Sequence, residues 1–124
     1  FDKHKLVATP LVTSDPQTAD AMNVLDKKTD TFWEGHKGYF LTFPLNESIP
    51  LSHIAINWHK ETDLRAVFEI QISSGGGQFI TVFKGSPMEL NKANKYIFNE
   101  SAGTDLRIKI VSGHVKISDV EMIR

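Results

Sequence analysis

The sequence predicts an all-β domain, a sandwich or barrel of about eight short strands, and three observations carry that expectation. Apolar residues recur with period two in several separate runs. Clusters of Gly, Pro, Asn, Asp and Ser interrupt those runs every ten residues or so. Nothing longer than one turn shows the 3.6-residue period of an amphipathic helix. A closed or double-sheet jelly roll is the arrangement that covers the exposed edges of so many short strands.

Residues 1–12 mix Lys, His and β-branched side chains, and Pro10 is incompatible with a central strand, so an edge strand is expected. Residues 13–17, Thr-Ser-Asp-Pro-Gln, have turn chemistry, and residues 19–25 read as a single helical turn. Tyr39, Leu41 and Phe43 share one face of a strand that Pro44 should end, and residues 46–50 should turn the chain. Ile54, Ile56 and Trp58 alternate inward and are followed by a charged loop over residues 59–63. Phe68, Ile70 and Ile72 form the next stripe. Three glycines at 75–77 then supply the backbone freedom for a hairpin that returns through residues 79–83. Residues 85–94 read as connection with a short turn at 88–90, residues 95–98 as a brief strand, and Leu106, Ile108 and Ile110 as a strand with one buried face. Val115 and Ile117 have one parity, Val120 and Met122 the other. A period-two strand changes face only by inserting a residue, which predicts a bulge at Ser118-Asp119.

With 124 residues the chain fits one domain spanning 1–124, large enough to bury a core without staples. Formal charge is −1 and no Lys/Arg-rich run appears, so neither nucleic acid nor a membrane surface is an expected partner. The absence of cysteine removes disulfides, thiol catalysis and zinc-thiolate sites. No apolar run approaches the roughly 20 residues of a transmembrane helix. Because the chain begins with Phe1, it is expected to be a piece of a longer protein, and a monomer is expected.

The densest chemistry lies in residues 23–33. Asp26, Thr31 and the carbonyls between them could wrap a hard cation, since calcium takes six to eight oxygens. The alternative is an Asp that caps a turn above a buried Trp. An EF-hand is excluded, because Thr31 stands where its Gly and Lys37 where its Glu would be.

The pattern A-x-x-V-L-D-x-x-x-D-T-x-W from Ala21 to Trp33 resembles the opening signature of the discoidin or coagulation-factor type C domains, a superfamily that includes the family 32 carbohydrate-binding modules. Ile-Ala-Ile-Asn-Trp-His-Lys at 54–60, Arg65, Phe-Glu-Ile-Gln-Ile-Ser at 68–73, Phe-Ile-Thr-Val at 79–82, Leu-Arg-Ile at 106–108 and Ile-Ser-Asp-Val-Glu at 117–121 follow the same order. The likeness runs from Ala21 to the C-terminus, and is greatest to the discoidin-type domains of bacterial polysaccharide lyases, alginate lyases among them.

This resemblance implies the discoidin-like, galactose-binding-domain-like jelly roll and a structural calcium. Its ligands would be the carbonyls of Asn23 and Lys28, the carboxylate of Asp26, the hydroxyl and carbonyl of Thr31, the carbonyl of Ser118 and the carboxylate of Asp119. Lys27 replaces the usual Gly, and Asp119 the usual longer Glu. The resemblance also implies a sugar site in the loops at one end. The candidates are Trp58, His59, Lys60 and Arg65, with His36, Lys37, His114 and Lys116 from two further loops. Arg offers a planar fork for carboxylates or vicinal hydroxyls, and Lys a point charge. The plainer alternative is a solvated loop in which Glu61 and Asp63 pair with the bases, with Trp58 in the core.

Catalytic patterns are missing: no Cys, no G-x-S-x-G elbow, no H-E-x-x-H. The function expected is a non-catalytic carbohydrate-binding module of a secreted bacterial enzyme. It would target the parent catalytic domain in the same chain to a polysaccharide, an acidic one such as alginate. The alternative is an adhesion or scaffolding domain that binds a protein partner.

Overall fold

In the computed structural model of the chain, residues 5–6, 12–16, 19–26, 28, 30–73 and 77–123 are described. They form eight antiparallel strands: β1 (Lys5–Leu6), β2 (Thr13–Asp15), β3 (Trp33–His36), β4 (Phe40–Trp58), β5 (Val67–Ser73), β6 (Ile80–Gly85), β7 (Ala93–Ser112) and β8 (His114–Ile123). One 3₁₀ helix, Ala19–Leu25, precedes β3. It has seven residues where a single turn was expected. The 3₁₀ period of 3.0 residues stacks Ala21 directly on Val24, and both are fully buried.

The strands pair in the order β1-β8-β4-β7-β5-β6, with β2 beside β4 and β3 beside β8. Residues 40–44 of β4 pair with residues 105–109 of β7, in the layer that also holds β2, β5 and β6. Residues 53–57 of β4 pair with 93–97 of β7 and with β8, in the layer that holds β1 and β3. The two long strands therefore cross from one layer to the other, and the curled sheet closes over a shared core as a β-sandwich of the jelly-roll kind.

The crossing corrects several sequence expectations. Pro44 does not end the strand and residues 46–50 do not turn the chain: both lie within β4, where Pro44 still pairs with Asp105 and the register slips after it, before Ile49. The brief strand at 95–98 and the strand at 106–110 are two halves of β7. Residues 13–15, expected as turn, pair with residues 40–42, and the bend follows at Pro16, whose carbonyl accepts from Ser14 Oγ at 2.9 Å. At the corner Gly103 has no substitute, since a Cβ there would lie 2.3 Å from Ile72 Cγ2 and 2.6 Å from the Ser73 carbonyl oxygen.

The inward stripes are as expected. Ile54, Ile56, Trp58, Phe68, Ile70, Leu106, Ile108, Ile110, Val115 and Ile117 are all fully buried. The β8 bulge is present too. Asn57 faces Asp119 but Trp58 faces Ile117, so Ser118 is the inserted residue, and its Oγ donates to the Asn57 carbonyl at 3.1 Å. The β5–β6 hairpin pairs Phe68 with Gly85 through Ile72 with Ile80, while residues 74–76 of the glycine turn lie outside the described residues. Of the expected N-terminal edge strand only β1 is described, at the margin of the sheet beside β8.

Candidate functional site

The loop from β4 to β5 is held down rather than loose. His59 N–H donates to the Lys116 carbonyl at 2.7 Å and Asp63 N–H to the His114 carbonyl at 3.0 Å. Thr62 Oγ1 donates to the Lys116 carbonyl at 2.8 Å and accepts from Lys116 N–H at 2.9 Å. The β7–β8 turn beneath it closes on Gly113 at φ +85°, where a Cβ would also strike Ala66 at 2.8 Å. Asn91, in the loop before β7, donates its N–H to the Trp58 carbonyl at 2.7 Å. Three loops thus meet at one end of the sandwich.

Between them lies an open cleft of about 410 Å³ lined by Asp30, His59, Lys60 and Asn91. The His59 ring packs on Phe32 at 4.7 Å between centroids, tilted by 50°. Glu61 N–H donates to His59 Nδ1 at 3.2 Å, which leaves Nε2 to carry the proton of the neutral ring. Lys116 Nζ lies 4.7 Å over the Phe32 ring and 2.5 Å from Glu61 Oε1. That hydrogen bond, with the ammonium charge behind it, holds the Glu61 carboxyl below its ordinary range. Arg65 is 94% exposed, and its Nε lies 3.8 Å from Asp63 Oδ1.

The eight expected sugar contacts separate into groups. His59 and Lys60 line the cleft, and Lys116 stands beside it through Phe32. Arg65 projects from the same loop but is not part of the cleft wall. Lys37 is elsewhere, on a smaller hollow of about 300 Å³ with Glu69 and Lys109. Trp58 is a correction: it is fully buried, its Nε1 donates to Tyr96 Oη at 2.8 Å, and its ring meets Phe68 edge-on, so it cannot offer a face to a ligand. His36 and His114 pair across β3 and β8 and share Glu34. The hydrogen bond from His114 holds the Glu34 carboxyl below its ordinary range, against a smaller upward effect of burial.

The cleft also draws on residues outside the eight expected: Asp30 and Asn91 line it, and Phe32 packs against His59. Phe32 was detectable in principle, because it precedes the buried Trp33 and strand parity turns it outward. Asn91 was not, since only the folded chain brings it to Trp58.

In the opening motif, Asp26 spans its own turn. Oδ1 accepts from Lys28 N–H at 2.9 Å and Oδ2 from Thr31 Oγ1 at 2.5 Å. Asn23 accepts from Asp26 N–H at 3.3 Å through its carbonyl and donates Nδ2 to the Phe32 carbonyl at 3.0 Å. The 3₁₀ helix packs on β8, the strand that carries Ser118 and Asp119. A carboxylate and a hydroxyl in direct contact, with the Asn23 carbonyl on the same turn, are hard oxygens of the kind calcium takes.

No family model matches the sequence, and a search of curated proteins returns no match. Solved structures do match. The family 32 module of AlyQ in complex with 4,5-unsaturated mannuronic acid superposes with a TM-score of 0.84 at 19% identity, over 96% of this chain and 97% of that one. The chain has the fold of the family 32 carbohydrate-binding modules. A truncated AlyQ with its family 32 module and alginate lyase domains gives a TM-score of 0.87 at 18% identity, where 99% of this chain spans 34% of that one. The family 32 module of C. perfringens NanJ in complex with galactose gives 0.77 at 16% identity, over 99% of this chain and all of that one.

Proposed function

We propose that the chain is a non-catalytic carbohydrate-binding module that carries a secreted parent enzyme to a polysaccharide, with an acidic glycan such as alginate as its ligand. The observation that carries this is the cleft of His59 and Lys60 beside the half-exposed ring of Phe32, at the loop end of a sandwich with the family 32 fold. The ring already carries His59 and the Lys116 ammonium, so what it gives the C–H side of a sugar is its remaining apolar edge. Lys60 makes no ion pair among the described residues, so its ammonium is available to a carboxylate. Arg65 adds a second exposed cation on the same loop. Lys116, already paired with Glu61, supports the site rather than supplying charge to it.

The proposal includes a structural calcium on Asp26 and Thr31, with Ser118 and Asp119 from β8. What supports it is the oxygen set around Asp26; the ion would fix the loop that leads into Phe32. Of the carboxylates at this end, Asp30 is part of the cleft wall, while Glu61 and Asp63 are engaged with Lys116 and Arg65.

Affinity electrophoresis of the chain against alginate, pectin, agar, carrageenan and a neutral galactan tests the function. Retardation on alginate is expected, with a dissociation constant of about 10 μM to 1 mM, because sugars bury little apolar area and lose hydration at their hydroxyls. It should weaken with salt as the Debye length falls from about 10 Å at 0.1 M to about 3 Å at 1 M. Preference for the neutral polymer at every ionic strength would overturn the acidic ligand. Release of unsaturated uronate by the isolated chain would overturn the absence of catalysis. Failure on all polymers would favour a protein partner, for which exposed Met88 and Ile97 on the β6–β7 side offer apolar surface.

A further inference from the structure

We infer that Glu34, His36 and His114 form a binding site for a divalent transition metal of the zinc class, separate from the glycan cleft and from the oxygen set around Asp26. The antiparallel register of β3 and β8 places His36 directly opposite His114 and Glu34 opposite Lys116. Residues 34 and 36 share one face of β3, since side chains two apart point the same way, while Trp33 and Gly35 between them face the core. The ligating atoms of the three side chains all lie within 4.8 Å of one another. His114 Nε2 is 2.7 Å from Glu34 Oε2, and His36 Nε2 is 3.6 Å from the same oxygen. The two imidazoles have 4.7 Å between centroids, with their planes tilted by 30°.

Those spacings suit a small tetrahedral ion. Zinc binds imidazole nitrogen and carboxylate oxygen at about 2.0 to 2.2 Å, which sets its ligand atoms roughly 3.3 to 3.5 Å apart. The His36–Glu34 separation is already near that figure, and the His114–Glu34 hydrogen bond has to open by less than an ångström when a metal replaces its proton. Two imidazoles and one carboxylate are a borderline set that favours zinc, copper, nickel and cobalt over calcium and magnesium. All three residues stand on paired strands, so the site is largely organised before any ion arrives. The side chains remain open to water, with His36 52%, Glu34 43% and His114 35% exposed, so a fourth position is left for solvent.

The alternative is a plain Glu–His hydrogen bond with a second histidine nearby, and zinc and cobalt titrations of the tag-free chain separate the two. With one equivalent of zinc added to the calcium-saturated chain, the melting temperature should rise further, and additional calcium or magnesium should not reproduce that rise. Cobalt should give the visible d–d absorption of a tetrahedral complex. Because loss of an outer partner commonly costs 10- to 100-fold in metal affinity, loss of a direct ligand through His36→Ala or His114→Ala should weaken zinc at least about 100-fold. His53→Ala should not. The proposal fails if zinc leaves melting unchanged, if cobalt keeps the spectrum of its aqua ion, or if the His36→Ala/His114→Ala double variant binds zinc as tightly as the parent. The cobalt spectrum of the unmutated chain decides the matter even if a variant does not fold.

Discussion

Trp58 and His59 are neighbours in sequence, yet they belong to two regions built on different principles. Trp58 is sealed in an aromatic cluster with Phe68 and Tyr96, its one polar atom satisfied by a tyrosine that in turn donates to the Ser86 carbonyl at 3.1 Å. His59 opens a polar loop whose contacts, Phe32, Glu61 and Lys116, come from three segments of the chain, and Asn91 from a fourth lines the same cleft. The core side is dominated by burial of area, which is non-directional and tolerant. The loop side is a set of directed hydrogen bonds and charges, each small, that fix a few groups around one open cleft. Stability should therefore reside in the first region and specificity in the second.

The largest effect expected is on the core. Trp58→Ala should cost about 3 to 5 kcal/mol, partly from the cavity and partly from the Tyr96 hydroxyl left without its donor. Well below the melting temperature, the variant should keep most of its affinity for alginate. If affinity collapses while the chain is still folded, the two regions are not separable and the comparison breaks.

Chelation comes next. A bound ion at 100 times its dissociation constant contributes about 2.7 kcal/mol of apparent stability, so EDTA should lower the melting temperature by several degrees. Asp26→Ala should melt at the same temperature with and without calcium. A melting temperature indifferent to EDTA leaves Asp26 as a turn cap alone.

Binding should respond to the loop residues with little change in stability. Lys60→Ala and Phe32→Ala should each weaken retention on alginate by about tenfold or more, corresponding to roughly 1 to 2 kcal/mol, while melting moves by less than about 1 kcal/mol. A Lys60→Ala/Arg65→Ala double variant that binds alginate like the parent would remove the acidic ligand from consideration.

The smallest effect belongs to pH. Burial pushes the Tyr96 hydroxyl up to about 12, outweighing the smaller lowering by its hydrogen bonds to Trp58 and to the Met88 backbone. A raised tyrosine keeps its proton in the folded chain while the unfolded chain ionises near pH 10. The contribution is thus fully present below pH 10 and is lost as pH climbs towards 12. About 1 kcal/mol should disappear over the first pH unit above 10. Tyr96→Phe should flatten that slope, and an unchanged slope would show that Tyr96 is not its source.

Sequence legibility follows the same division. Parity alone placed Ile54, Ile56 and Trp58 in the core, and the parity switch between Ile117 and Val120 located the inserted Ser118, because a buried strand face tolerates no other solution. Pro44 misled, since β4 runs on past it and absorbs the corner by a register slip instead of ending. The loop end was legible only as a set of residue types. Glu34 meets His114 across 80 residues and Thr62 meets Lys116 across 54, and no local pattern encodes such a meeting. Trp58 and Lys37 show the limit of carrying positions over from a resemblance: both occur in the expected loops or strand ends, but one is buried and the other lies on a different hollow.

The clasp between Thr62 and the backbone of Lys116 has a bearing on how a ligand would be received. Thr62 accepts from that residue's amide and donates to its carbonyl, so one side chain completes a strand-like pair and ties the loop to the sandwich. A loop fixed in this way has little configurational freedom left to surrender. Recognition can then proceed without a folding step, and a weak shallow contact need not also offset the entropy of ordering its own receptor.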